Sequence, residues 1–280
     1  MIDSHHHLWD PARREYPWMS GDALAPIRKP YTVDDLRTAA TAAGVHATVL
    51  VQTVSDETET EEFLATAASE PLVAGVVGWV DLAAPDVADR LARLRELGPL
   101  VGIRHQVEDE PDPDWLLRPE ILRGLTAVGN AGLVYDLLVA PAQLAAARQV
   151  AERLPDVRLV LDHAAKPGIA AGKWQPWSDG VASLAAHGNV HCKLSGLVTE
   201  ADWREWQVGH LRRYADHVFE SFGANRVMFG SDWPVCELAA AYEVVLDAAV
   251  SLTGGLSDPE RLEVFERTAA RVYELKDAAG

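Results

Sequence analysis

The chain has 280 residues, of which 48% are hydrophobic and 24% are charged, a composition typical of a globular protein and unlike that of a disordered one. Its formal net charge of -17 opposes binding to nucleic acid or to anionic lipid, so we expect a small molecule as its partner. The apolar runs are too short to span a membrane and the first residues lack the zones of a secretion signal, which makes the cytoplasm the expected location.

Short apolar, β-branched runs alternate with longer stretches of helical period along the whole chain. This alternation predicts repeated βα units around a parallel sheet. The predicted strands are 2–5, 47–52, 73–80, 100–105, 132–138, 157–163, 190–194 and 227–231. The predicted helices are 33–43, 58–69, 85–97, 119–128, 141–153, 177–187 and 203–222, with further helical sequence from residue 238 onward.

Eight strands with intervening helices predict the α/β class and a (β/α)₈ TIM barrel that forms a single domain over residues 1–280. The alternative is an open doubly wound sheet, which would carry a glycine-rich phosphate turn after its first strand, where this chain has histidines. Two long loops, 11–31 and 106–117, follow the first and fourth strands. Loops of this length at the catalytic face of a barrel commonly cover the substrate, so we expect a lid there.

Three consecutive histidines end the first predicted strand, and Asp232 follows the last one. Such a run could be an expression tag, but here it lies between Met1-Ile2-Asp3-Ser4 and Leu8-Trp9-Asp10. Side chains alternate along a strand, so His5 and His7 point to one side and His6 to the other. If the strands close into a barrel, two imidazoles and one carboxylate meet, which is a set typical of hydrolases.

The carboxyl ends of all strands in a parallel barrel meet on one face. Seven of the eight predicted ends carry an ionisable group, which packing alone explains poorly because buried unpaired charges are costly. Arg104 could equally be an ion-pair partner of Asp81 or Asp136 or a substrate ligand. The strand-end residues are His5, His7, Gln52, Trp79, Asp81, Arg104, His105, Tyr135, Asp136, His163, Lys193, Ser195, Asp232 and Trp233.

Five ordered segments at predicted strand ends are similar to motifs of the amidohydrolase superfamily. They are DSHHHLWD (3–10), GIRH (102–105), LDHAAKP (161–167), KLSGL (193–197) and FGSDWP (229–234). The chain most resembles the sugar-lactonase branch of the amidohydrolase-2 group, the L-fuconolactonase and L-rhamnonolactonase type. The resemblance covers nearly the whole chain and implies a distorted (β/α)₈ barrel.

The resemblance also implies a metal site made of His5, His7, His163 and Asp232. Superfamily members with two metals bridge the ions with a lysine or glutamate from the fourth strand, where this chain has Arg104. A guanidinium does not bind cations, so we expect one divalent ion, zinc, at most. The alternative is catalysis without metal, in which arginine and histidines polarise the carbonyl.

The activity implied by the resemblance is hydrolysis of a sugar-derived 1,4-lactone to its aldonate, a reaction of carbohydrate catabolism. Asp232 would activate water, while Arg104 and His163 stabilise the oxyanion. The alternatives are a nonoxidative decarboxylase on the same barrel and a barrel that only binds a sugar acid. The sequence leaves open whether copies form a homo-oligomer. The residues expected to contact the substrate are Arg104, His105, Gln52, Lys193 and Trp233.

Overall fold

The computed structural model describes residues 1–275, and the last five residues of the predicted domain lie outside the described part. Eight parallel strands form one sheet in chain order. They are Ile2–His6 (β1), Ala47–Val51 (β2), Val73–Gly78 (β3), Leu100–Gln106 (β4), Val134–Leu138 (β5), Leu159–Leu161 (β6), Val190–Leu194 (β7) and Val227–Phe229 (β8). The predicted strands are therefore all present, within a few residues at their ends.

The sheet closes on itself just beyond the end of the short β8. His6 and Trp233 form a parallel bridge. The backbone N–H of His7 donates to the carbonyl of Trp233 over 2.7 Å, and that of Asp232 donates to the carbonyl of His5 over 2.8 Å. These bonds make the first strand and the segment after the last strand neighbours, so the predicted (β/α)₈ barrel is confirmed.

Helices alternate with the strands and cover the outside of the barrel. They are Val33–Ala42 (α1), Glu57–Ser69 (α2), Val87–Leu97 (α3), Pro119–Asn130 (α4), Leu144–Arg153 (α5), Trp177–Ala185 (α6), Val208–Phe222 (α7), Tyr242–Leu252 (α8), Asp258–Leu262 (α9) and Thr268–Val272 (α10). Among the described residues, none of these helices has both the length and the apolar content that a membrane crossing requires.

One predicted helix differs in a way that matters for the site. The prediction starts it at residue 203, but α7 begins at Val208. The Asp202 carboxylate accepts from the backbone N–H groups of Arg204 and Glu205, which makes a separate turn before the helix. The residues of this turn also suit a helix, so the apolar pattern in the sequence did not show where the turn ends and the helix begins. The segment between β7 and α7 is consequently a loop.

Apolar side chains fill the barrel interior at the end opposite the histidines. Ile2, Val49, Val77 and Val160 belong to one buried cluster there, together with residues of α10 and Tyr273. The larger cluster lies between the strands and the surrounding helices. Residues of α10 together with Tyr273 and Leu275 thus fill one end of the barrel, and polar side chains fill the other.

Candidate active site

Two imidazoles from β1 and one carboxylate from the β8 loop converge inside the barrel. His5 Nε2 lies 3.2 Å from His7 Nε2. Asp232 Oδ1 is 3.5 Å from His7 Nε2 and 3.8 Å from His5 Nε2. His163 adds a third imidazole, with its Nε2 3.9 Å from the same carboxylate oxygen. A shifted register between Asp3 and His6 lets Ile2 pack in the interior while His5 and His7 also face it.

Unusual backbone conformations hold two of these side chains in place. Residues 163–166 all have positive φ, as does Asp232 at φ 57°. Such values strain residues other than glycine and persist where the surrounding structure enforces them. Gly196 makes room for this turn, because a Cβ there would lie 2.7 Å from His163 Nδ1. The strain is therefore concentrated where the polar groups meet.

A hydrogen bond fixes the tautomer of His7, and burial favours the neutral form of the imidazoles. His7 Nδ1 lies 2.8 Å from the carbonyl of Val51, which can only accept, so the proton is on Nδ1 and the Nε2 lone pair faces Asp232. Burial lowers the pKa of His7 to about 3 and that of His163 to about 4. Burial raises the pKa of Asp232. At neutral pH the site therefore holds neutral imidazoles beside a carboxyl group.

A chain of buried charges lies directly beneath the imidazoles. Arg104 donates to Asp162 over 3.1 Å, and Lys193 Nζ lies 3.0 Å from Asp162 and 2.5 Å from Asp136. Tyr273 donates its hydroxyl to Asp136 over 2.8 Å. Burial alone would raise the pKa of Asp162, but Lys193, His5 and Arg104 hold it well below its usual range. The ion-pair partner of Arg104 is thus Asp162, and not Asp81 or Asp136.

This network also limits what Arg104 can donate. One guanidinium nitrogen contacts Asp162 and His5 Nε2, at 3.1 and 3.3 Å, and the other contacts the backbone carbonyl and the amide oxygen of Gln52. The two terminal nitrogens have protein partners, so they have no free N–H donors for the oxyanion that Arg104 is expected to stabilise. Arg104 nevertheless lies in the wall of the adjoining cavity.

Four residues expected to contact substrate have other roles in the structure and do not line that cavity. Gln52 is buried and donates to the carbonyl of Arg104 over 3.2 Å, and Lys193 belongs to the charge network. Trp233 donates its indole N–H to Glu237 over 2.9 Å. The fourth, His105, stacks on Trp115 with ring centroids 4.3 Å apart. Each of these side chains supports the site from behind or holds a loop.

The cavity above the imidazoles has a volume of about 390 Å³. Both predicted lid loops contribute to it, Trp18 and Leu24 from the first, and Gln106, Glu108 and Asp109 from the second. An open depression of about 600 Å³ adjoins it but lacks the histidines and Asp232. The remaining lining residues are His7, Thr53, Arg104, Leu138, His163, Lys166, Thr199, Glu200, Trp203, Asp232, Val235 and Leu238.

Several residues of this wall are not among those expected from the sequence, and three of them, Thr199, Glu200 and Trp203, come from one loop. They come from the loop between β7 and α7, part of which was predicted as helix. One signal in the sequence could have identified them. The segment follows the end of a predicted strand, as the other candidate residues do. Lys166, from the turn after β6, forms an ion pair of 2.6 Å with Glu108 at the same wall.

The polar groups at the cavity floor fit a metal ion. His5, His7 and Asp232 each offer a ligand atom, and these atoms lie within 4.8 Å of one another. Two neutral imidazoles and a carboxylate are a ligand set typical of zinc. His5, Asp162 and His163 form a second such group, but Asp162 is engaged by Lys193 and Arg104. The first group is therefore the better fit.

Comparison with known proteins gives close matches over the whole chain. The sequence model of the amidohydrolase family matches residues 2–275. An L-fucono-1,5-lactonase of Burkholderia multivorans is 38% identical, covering 99% of this chain and 97% of the relative. An L-fucono-1,5-lactonase of Burkholderia ambifaria is 39% identical over 86% of this chain and 82% of its own length.

A solved structure is equally similar. The crystal structure of an amidohydrolase from Burkholderia multivorans with bound zinc superposes with a TM-score of 0.92 at 38% identity, covering 98% of this chain and 99% of that one. By sequence and by structure, this chain belongs to the amidohydrolase family.

Proposed function

We propose that this protein hydrolyses a sugar-derived lactone to the corresponding aldonate. The observation that carries the proposal is the position of Asp232, whose carboxyl oxygen lies within 4 Å of three buried imidazoles at the floor of the cavity. Two relatives that cover most of the chain are named as lactonases, which favours ring opening over the alternative decarboxylation and over simple binding of a sugar acid.

Asp232 acts as the general base. It takes a proton from water and directs the resulting hydroxide at the lactone carbonyl carbon, so that a new carbon–oxygen bond forms. The tetrahedral intermediate then breaks the bond to the ring oxygen, and Asp232 returns the proton to that oxygen. One water is consumed, and the aldonic acid product loses a proton to solvent at neutral pH.

One further residue stabilises the negative charge that develops on the carbonyl oxygen. His163 does so through Nε2 in the tautomer in which the Ser195 hydroxyl, 2.9 Å away, donates to Nδ1. Arg104 lies in the same wall, where Asp162, His5 and Gln52 hold its terminal nitrogens, and it keeps these groups in position. A preorganised hydrogen-bond donor such as the His163 N–H typically stabilises the transition state by roughly 3 kcal/mol.

His5, His7 and Asp232 would hold one divalent ion, zinc in the first instance, with His163 close by. When bound, such an ion supplies Lewis acidity, which makes water a stronger acid and polarises a carbonyl. The hydrogen bond from His7 to Val51 keeps one ligand nitrogen unprotonated and oriented.

The lactone that is hydrolysed could have a five-membered 1,4 ring or a six-membered 1,5 ring. The sequence resemblance implies a 1,4-lactone, whereas the two relatives are named for a 1,5-lactone. We give precedence to the 1,5 ring, because those relatives match most of the chain.

The test is acid release from a panel of lactones, followed with a pH indicator. The panel contains L-fuconolactone in both ring sizes and the L-rhamnono-, D-galactono- and L-galactonolactones. We expect hydrolysis well above the spontaneous rate for at least one of them, with the 1,5 ring preferred. Acid release from none of these lactones, with carbon dioxide formed from an aromatic acid instead, would overturn the proposal.

Removal of metal is a separate test. Dialysis against a strong chelator should remove the ion and the activity together, and added zinc should restore both. Full activity in protein shown to be metal-free would leave the histidines, Arg104 and Asp232 as the complete apparatus.

A further inference from the structure

The wall of the cavity away from the imidazoles has an excess of acidic groups. Glu108, Asp109 and Glu200 line it, and the basic residue among them is Lys166. Lys166 already forms an ion pair of 2.6 Å with Glu108. Its positive charge is therefore largely compensated before any ligand enters. The other basic residue of the wall, Arg104, is compensated by Asp162 from below.

Glu200 is a partly buried carboxyl group of this wall without a protein partner. Among residues 1–275 its side chain accepts no hydrogen bond and forms no ion pair, although it lines the cavity and is only partly exposed. Burial raises its pKa to about 7, and the nearby Glu108 and Asp232 add to that effect while Lys166 opposes it. A carboxyl group that lines a cavity and has no protein partner can accept hydrogen bonds from a ligand there.

Hydrolysis changes the charge of the ligand in this cavity. A sugar lactone is neutral and has several hydroxyl donors, which suit a carboxylate acceptor. The aldonate is an anion with the same hydroxyl groups. A carboxylate in the wall therefore favours the substrate through hydrogen bonds and disfavours the product through repulsion between like charges.

We propose that Glu200 is a specificity-determining residue that accepts hydrogen bonds from the hydroxyl groups of a neutral polyhydroxylated lactone and disfavours carboxylate-bearing ligands, including the aldonate product. This inference rests on the proposed function for the identity of the lactone. It gives the loop between β7 and α7 a role in both substrate choice and product release.

The test compares wild type with Glu200→Gln at pH 8, where the Glu200 carboxyl is mainly ionised. Two quantities are measured in the same preparation, the KM for the best lactone and the Kd of its aldonate by calorimetry. For the variant we expect KM to rise about fivefold because a charged acceptor is lost. We expect the aldonate to bind about fivefold tighter because a repulsive charge is removed. A variant that is merely misfolded would bind both ligands more weakly, so the opposite directions identify the role.

Glu205→Gln is the matched control, since Glu205 is exposed in the same loop and does not line the cavity. It should leave both quantities unchanged. Unchanged KM and unchanged aldonate Kd in Glu200→Gln would overturn the inference while wild-type lactonase activity upholds the proposed function. A wild type inactive on every lactone would refute the proposed function, and the aldonate Kd values would still decide whether Glu200 repels anions.

Discussion

The residues of the site combine neutral imidazoles with charges that are paired below them. His5 lies at the junction, with Nδ1 3.4 Å from Asp162 and Nε2 3.8 Å from Asp232. Asp162 is in turn held by Lys193 and Arg104. The arrangement keeps His5 oriented without placing a net charge on it, because burial and then Lys193 hold its pKa well below the usual range.

Loss of Lys193 should therefore destabilise the whole barrel. Lys193→Met leaves Asp136 and Asp162 buried without their shared cation, and we expect the free energy of unfolding to fall by roughly 3–5 kcal/mol. Urea unfolding measures it. Arg148→Met removes an exposed ion pair with Glu152 and should cost at most about 1 kcal/mol. An equal fall in the free energy of unfolding in the two variants would show that the buried network stabilises the fold no more than a surface ion pair does.

Residue positions were predictable where strand periodicity or the family resemblance applied. His5, His7, His163 and Asp232 were placed at strand ends and do meet there. The pairing of Arg104 with Asp162 was not predictable, because it crosses the barrel interior between strands that are not neighbours. Glu200 was missed because loop residues follow no period.

The site is created at the seam where β1 pairs with the segment that follows β8. It depends on Gly230, where a Cβ would lie 2.7 Å from the Cβ of His5 and 3.3 Å from its backbone nitrogen. The Cβ and the backbone nitrogen of His5 are fixed by the backbone of β1, so a side-chain rotation cannot relieve the clash. The seam and the position of His5 are thus fixed together.

Gly230→Ala should push β1 away from the segment that follows β8, because the added Cβ would clash with His5. We expect the free energy of unfolding to fall by roughly 1–3 kcal/mol from overpacking, and the turnover of lactone to fall at least about tenfold as His5 moves. Thermal unfolding and initial rates measure the two effects. Gly209→Ala is the control, since a Cβ there meets nothing within 4 Å. Wild-type stability and turnover in Gly230→Ala would contradict this account of the seam.

The elements themselves were predictable from apolar periodicity, and their ends were less so. The start of α7 was placed at residue 203 because the turn at Asp202 is made by a side chain that caps locally, which periodicity does not detect. The same turn sends Trp203 to the cavity wall. An error in one helix start therefore concealed part of the site.

Buried histidines couple the stability of the folded protein to pH. His191 lies on β7, outside the site, and burial lowers its pKa to about 4. In the unfolded chain a histidine has a pKa of about 6.5. Between these values the unfolded state binds more protons, so this contribution to stability is complete above pH 6.5 and is lost as the pH falls toward 4.

His191→Gln should remove the part of the acid-induced loss of stability that comes from protonation of His191. Relative to wild type, the variant should gain about 1 kcal/mol in free energy of unfolding for each pH unit between 6.5 and 4. Urea unfolding at several pH values measures the difference. His46→Gln, on the surface, controls for the loss of a histidine. Parallel curves for wild type and His191→Gln would contradict the expected proton uptake.

Closure of the barrel brings the end of the first strand to the carboxylate that follows the last strand, and the proposed chemistry depends on that group. Asparagine tolerates positive φ well, so Asp232→Asn should keep the strained backbone and the fold while removing the base.

The most direct measurement is kcat/KM of Asp232→Asn and wild type on the best lactone of the panel, with thermal unfolding of both. We predict a loss of at least about a thousandfold with an unfolding temperature close to that of wild type. Turnover within tenfold of wild type would show that the ring is opened without Asp232.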